Sequence, residues 1–166
     1  MSPNDLYEAA GDAQTPDRPF AFRTAGQGLP SGMGLATTGA SLKMGYPVEF
    51  NWNAVTKQWE RTQKGSPHLD SDNKVIAVDN VVVLMTTYKM SSTPGSLQAI
   101  SVGKGRAMVY TEGKVVEGEW TRPFPESPWT ITTGDDAKPV ELTPGRSWVY
   151  LGSKGSVEDL TNPIAG

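Results

Sequence analysis

The residues best equipped for chemistry are gathered in one short loop, residues 65–73, which reads Gly-Ser-Pro-His-Leu-Asp-Ser-Asp-Asn. It holds His68, the single histidine of the chain, with Ser66 two positions before it and Asp70 two after. Serine, histidine and carboxylate are the parts of a nucleophilic triad, but neighbours two apart in one loop do not converge as nucleophile, base and orienter must. Asp70-x-Asp72 opens like a calcium loop, yet the glycine and the distal glutamate of that loop are missing. One histidine beside aspartates is also too small a set for zinc. The ordinary alternative is a turn in which Asp70 accepts from backbone amides and His68 bonds locally.

A ligand site built around this loop would draw on Trp59, Arg61, His68, Asp70 and Asn80. Trp59 would form a wall, Arg61 would grip a carboxylate or phosphate through two nitrogens, His68 and Asp70 would orient the ligand, and Asn80 would offer an amide. The same residues would equally serve as a polar network pinning the loop onto a sheet. In a hydrolase acting on envelope polymers, His68 would be the general base and Asp70 its orienter or one of a carboxylate pair. No nucleophile or oxyanion donor completes that set, so no catalytic residue is assigned, and no metal or cofactor is expected. Residues 26–34, GQGLPSGMG, invite a phosphate cradle. Ser31 stands where the dinucleotide pattern needs its third glycine, no helical pattern follows, and the Gly-Lys-Ser/Thr ending of a phosphate loop is absent, which leaves a flexible loop.

These loops must be carried by strands. Residues 74–87, KVIAVDNVVVLMTT, form the longest β-branched run, apolar on both alternating faces, as expected of a strand covered from two sides. Asp79-Asn80 interrupts it, predicting a bulge or break with the Asn80 side chain bonding to backbone groups. A tight hairpin turning on those two residues is the competing geometry. Alternation predicts strands over 20–23, 40–44 and 46–52. The last returns through the turn 53–56 into 57–62, with Trp52 and Trp59 close to the turn. Further strands are expected over 97–102, 106–111, 114–121, 129–132, 140–142 and 147–151. Gly103-Lys104-Gly105 permits a bend, Glu112-Gly113 makes a tight turn, and Pro144-Gly145 suits a type II turn. Near the start, Ser2-Pro3-x-Asp5 predicts one short helix over about residues 3–10.

With 18 glycines and 13 prolines in 166 residues, many turns and short strands are expected, hence an all-β domain: an antiparallel sandwich or strongly twisted sheet of hairpins. The net charge of −3 with scattered basic residues gives no nucleic-acid footprint. The absence of cysteine excludes disulfides and thiolate chemistry. No apolar run approaches ~18 residues, and the polar residues after Met1 lead to the expectation that a signal peptide is absent or has been removed. The five tryptophans, on a small β scaffold, suggest stacking surfaces for sugar rings or peptide side chains. Trp148 reads as core. Trp52, Trp59 and Trp120 fall at strand ends beside charges, which favours partial exposure, yet the core is the expected place for most of the five because aromatic residues dominate small-domain interiors.

The ordered series Phe50-x-Trp52, Trp59-x-Arg61, Gly65-x-Pro67-His68-x-Asp70 and Asn80-Val81-Val82-Val83 resembles the C-terminal domain of YerB-like bacterial lipoproteins, a domain of unknown function. The continuation agrees in spacing: Gly103-x-Gly105-x-Ala107, Gly113-Lys114, Gly118-x-Trp120 and Pro144-Gly145-x-x-Trp148. The resemblance covers about residues 36–151. It implies an extracytoplasmic protein anchored to the bacterial cytoplasmic membrane through a lipidated cysteine, with a preceding N-terminal domain. Neither that domain nor that cysteine is in this sequence. The expected organisation is therefore an extension over 1–35 that ends the missing domain, a β domain over 36–151 and a loosely attached tail over 152–166. The expected function is a non-catalytic binding or interaction module of the cell envelope. Its partners would be cell-wall glycan or peptide, another envelope protein, or the missing N-terminal domain.

Overall fold

The structure, a computed structural model, describes residues 18–43 and 45–161, so the expected helix over 3–10 lies outside the described residues. The strands are β1 (Leu35–Ala36), β2 (Gly39–Lys43), β3 (Pro47–Asn53), β4 (Gln58–Gln63), β5 (Ser66–Pro67), β6 (Ala77–Val78), β7 (Asn80–Met85) and β8 (Tyr88–Met90). They continue with β9 (Leu97–Ala99), β10 (Gly103–Thr111), β11 (Lys114–Arg122), β12 (Thr130–Thr133), β13 (Lys138–Pro139), β14 (Ser147–Gly152) and β15 (Val157–Asp159). Seven strands form one sheet in the order β13-β12-β11-β10-β7-β14, with β1 also on β11. Six form a second, β15-β2-β3-β4-β5, with β6 also on β4. Strands β8 and β9 pair with each other as a separate ribbon.

The valine-rich run is the spine of this arrangement. It begins at Ala77 rather than at Lys74, because Val75 is 40% exposed and makes only an isolated bridge to Leu69. At Asp79 the run changes sheets: β6 pairs with β4, and β7 lies between β10 and β14. The break predicted at Asp79-Asn80 is therefore a crossing between layers rather than a hairpin. Val81 and Val83 point into a core shared with Tyr110 of the neighbouring β10 and with Phe50 and Trp59 of the facing layer. Val82 and Leu84 point into a second core with Trp120, Ile131, Val140 and Leu142. All four are fully buried, as a doubly covered strand requires.

The second cover is not a sheet. Residues 20–23 and 140–142, expected as strands, are irregular segments joined by an isolated parallel bridge between Phe22 and Leu142. Phe20, Val140 and Leu142 press onto the outer face of the large sheet, and Phe20 stacks on Trp129 at 5.6 Å. By carrying the chain across that face, residues 140–146 bring β14 to the far side of β7 in parallel register, Trp148 opposite Val81. This pair departs from an otherwise antiparallel arrangement, since only a crossover can deliver a parallel neighbour. Residues 97–102 form a strand only over β9, and the bend expected at 103–105 is instead the start of β10. Residues 152–161 are not loosely attached: β15 pairs with β2, and Asp159 is buried, accepting from Thr37 Oγ1 at 3.1 Å and from Thr161 N at 2.9 Å. Tyr110, whose hydroxyl also meets Asp159, is held well above the ordinary phenol range, first by burial and then by that carboxylate.

Candidate functional site

The five residues singled out by sequence fall into three places. Trp59 and Arg61 are buried on β4, with Trp59 inside the aromatic core at 4.8 Å from Trp52 and 5.8 Å from Tyr110. Arg61 is 3% exposed. It donates to Gln63 Oε1 at 3.0 Å, touches His68 Nδ1, and lies 4.9 Å over the ring of Trp148. An arginine only donates, so Nδ1 of His68 is the acceptor in this contact. Asp70 does not orient this ring: its Oδ1 accepts from the amides of Asp72 and Lys74 at 2.8 and 3.0 Å, closing the exposed turn. The cluster is a pin between loop and sheet, and the geometry of a general base with its carboxylate is not assembled there. Nor do the described residues contain a group of carboxylates, histidines and cysteines fit for a metal.

Asn80 is elsewhere. It lies on the opposite face of the large sheet, where Nδ2 donates to Thr143 O at 2.8 Å and Oδ1 accepts from Thr143 N at 3.0 Å. This reciprocal pair fixes the crossover, as predicted for an asparagine at the break. It also underlies a second polar site, which centres on the turn between β10 and β11.

That turn is Glu112-Gly113, both residues at positive φ (49° and 71°). Such two-residue hairpins favour asparagine or glycine at the first position, and a left-handed glutamate is strained by about 1 kcal/mol. The side chain explains its presence. Glu112 Oε1 accepts from Arg23 Nη2 at 2.6 Å and from Thr143 Oγ1 at 3.3 Å, while Oε2 accepts from Leu29 N at 2.9 Å. Arg23, almost fully buried, also donates to Glu141 O at 2.6 Å and Gln27 O at 3.2 Å. Burial acts to raise the Glu112 carboxyl, but the Leu29 amide, the Arg23 guanidinium and the Thr143 hydroxyl together outweigh it and hold it below the ordinary carboxylate range.

Above this network opens a cleft of about 680 Å³ walled by Trp52, Gly26, Gly28, Lys57, Asp79 and Glu112. Trp52 is half-buried. A Cβ at Gly113 would lie 2.7 Å from its Nε1, so the glycine lets the indole lie flat against the turn. Asp79 is fixed by the amide of Arg146 at 2.7 Å and by Gln58 Nε2 at 3.3 Å. Of the tryptophans at strand ends, Trp59 is buried in the core between the layers and Trp120 in the second core, as the expectation of core burial for most of them has it, while Trp52 is half-buried; Trp148, expected as core, is also half-buried. Arg23, Asp79 and Glu112 were not read as site residues. The one local signal was a glutamate at a turn position that favours asparagine.

Comparison with known proteins agrees with this architecture. No curated protein matches the sequence. The YerB protein from Bacillus subtilis has a similar structure, with a TM-score of 0.73 at 15% identity, over 96% of this chain and 54% of that one. This likeness concerns the fold, and the chain spans about half the length of that protein. Residues 40–149 match the family described as "Protein of unknown function (DUF3048) C-terminal domain". The chain belongs to that family.

Proposed function

We propose that this domain is a non-catalytic binding module of the bacterial cell envelope that holds a small polar ligand, a glycan or peptide fragment of the wall, in the Trp52 cleft. The observation that carries this is the pairing of a half-buried indole with two pre-positioned carboxylates, Asp79 and Glu112, across about 680 Å³. That volume falls within the roughly 300–1,000 Å³ usual for small-molecule sites. A tryptophan face suits the apolar side of a sugar ring or a peptide side chain, and fixed carboxylates accept from hydroxyl or amine donors. The glycines at 26 and 28 let a ligand approach the backbone without side chains in the way. The envelope location rests only on what the resemblance of residues 36–151 to YerB-like lipoproteins implies.

The reading is tested by titrating the chain with soluble muropeptides and disaccharide fragments while following tryptophan emission. Saturable binding that Trp52→Ala weakens by about tenfold, roughly 1.4 kcal/mol, is the expected result. His68→Ala should leave the affinity unchanged, since His68 belongs to the Arg61 cluster, which does not line the Trp52 cleft. If His68→Ala abolishes binding and Trp52→Ala does not, the ligand sits at the loop and the Trp52 cleft is not the site.

A further inference from the structure

A second cleft opens at the other end of β7 and β10, where the two sheets splay apart. It measures about 500 Å³. Its walls are apolar: Met85, Ile100, Val102, Met108, Trp120 and Val157. The charged residues in its lining are all cations, Lys104, Arg106 and Lys154. Trp120 is fixed by donating from Nε1 to Met85 O at 2.9 Å. Gly105 makes room for it, because a Cβ there would stand 2.7 Å from that nitrogen. The wall residues Thr86, Thr87, Ile100 and Val102 are the stems of the β8–β9 ribbon, whose far end carries the cross-strand pair Met90 and Leu97, both more than 60% exposed.

We propose that this cleft binds a single-chain anionic amphiphile, an alkyl chain bearing a carboxylate head. An alkyl chain fits the methionine, valine and isoleucine walls, gaining about 0.8 kcal/mol for each methylene removed from water. The head is selected by charge. Lys154 has no ion-pair partner among the described residues, and Lys104 meets Glu119 only at 3.5 Å between side chains that are 71% and 51% exposed. Exposed pairs of that kind contribute little, so a ligand carboxylate competes for Lys104 at small cost. Arg106 is held more firmly, by Glu117 at 2.6 Å. Neither glutamate lines the cleft, and a cationic head would find no carboxylate there. This inference is independent of the Trp52 cleft, which lies at the opposite end of the same strands and has the opposite character.

The test is a titration of the full chain with sodium myristate below its micellar concentration, read by tryptophan emission and repeated with tetradecyltrimethylammonium. Saturable one-to-one binding of myristate, with the cationic amphiphile about tenfold weaker or worse, is expected. The double variant Lys104→Glu with Lys154→Glu should lose about tenfold in myristate affinity. Val102→Asp, at a position already 38% exposed, should weaken both amphiphiles. The proposal is overturned if the two amphiphiles bind equally well or if the lysine variant binds myristate unchanged. It is equally overturned if a response appears only with phosphatidylglycerol vesicles, which would mark a membrane surface rather than a single-chain site.

Discussion

The two ends of the β7–β10 pair differ in kind. At the Asn80–Thr111 end, buried charge is met bond for bond: Arg23, Glu112, Thr143 and Asn80 close on one another, and the cleft lies over a rigid polar floor. At the Met85–Gly105 end the floor is apolar, the cations stand at an open rim, and the adjoining ribbon pairs only with itself. A polar site in a small β domain therefore depends on the fold for its precision, whereas the apolar one depends on a gap between sheets that the fold leaves unfilled. Substitutions should separate the two. Changes at the polar end should cost stability, and changes at the apolar rim should cost only binding.

The largest effect is expected for Arg23→Ala. It strands the Glu112 carboxylate and opens a buried hole, and should destabilise the chain by about 3–5 kcal/mol, measured by urea unfolding. A loss below about 1 kcal/mol would mean that the network is ornamental and that the contrast between the ends is false.

Glu112→Gln comes next, at about 1–3 kcal/mol at neutral pH. It should also change the pH dependence. Because the folded state holds this carboxyl below its ordinary range, its contribution is complete above that range and disappears as acid protonates the folded state. The native chain should therefore weaken on acidification below the ordinary carboxylate range, and the glutamine variant should show a flatter acid limb in the same urea series. An acid limb of unchanged steepness would assign the loss to other carboxylates.

The smallest stability effect is expected at the apolar rim. Lys104→Glu and Lys154→Glu, at exposed positions, should each move the unfolding free energy by no more than about 0.5 kcal/mol. A larger loss there would show that the rim cations hold the sheets together rather than face a ligand.

The polar end shows how far sequence reaches. Asn80 was legible as the residue that would satisfy backbone groups at the break, because an asparagine inside a valine run has few other uses. The hairpin turn at Glu112-Gly113 was equally legible, but not the purpose of its glutamate, whose partners Arg23 and Leu29 lie more than 80 positions away. The grouping of Trp59, Arg61 and His68 was visible because antiparallel neighbours recur at short separations. Asp70 and Asn80 do not join them. Asp70 spends its oxygen on its own turn, and Asn80 points to the other side of a sheet, a consequence of the strand's two-residue period.

What the amino-acid order settled by itself was local. Alternation settled most of the long strands though not 20–23 or 140–142, turn chemistry settled the hairpins, and the two-faced valine run settled a strand covered on both sides. What it left open was everything decided by the crossing at Asp79 and by the crossover over residues 140–146: the parallel seat of β14, the irregular second cover, and which tryptophan meets a cleft. Those depend on contacts between segments far apart in the chain, whose partners no periodicity encodes, and only the packed layers bring them together.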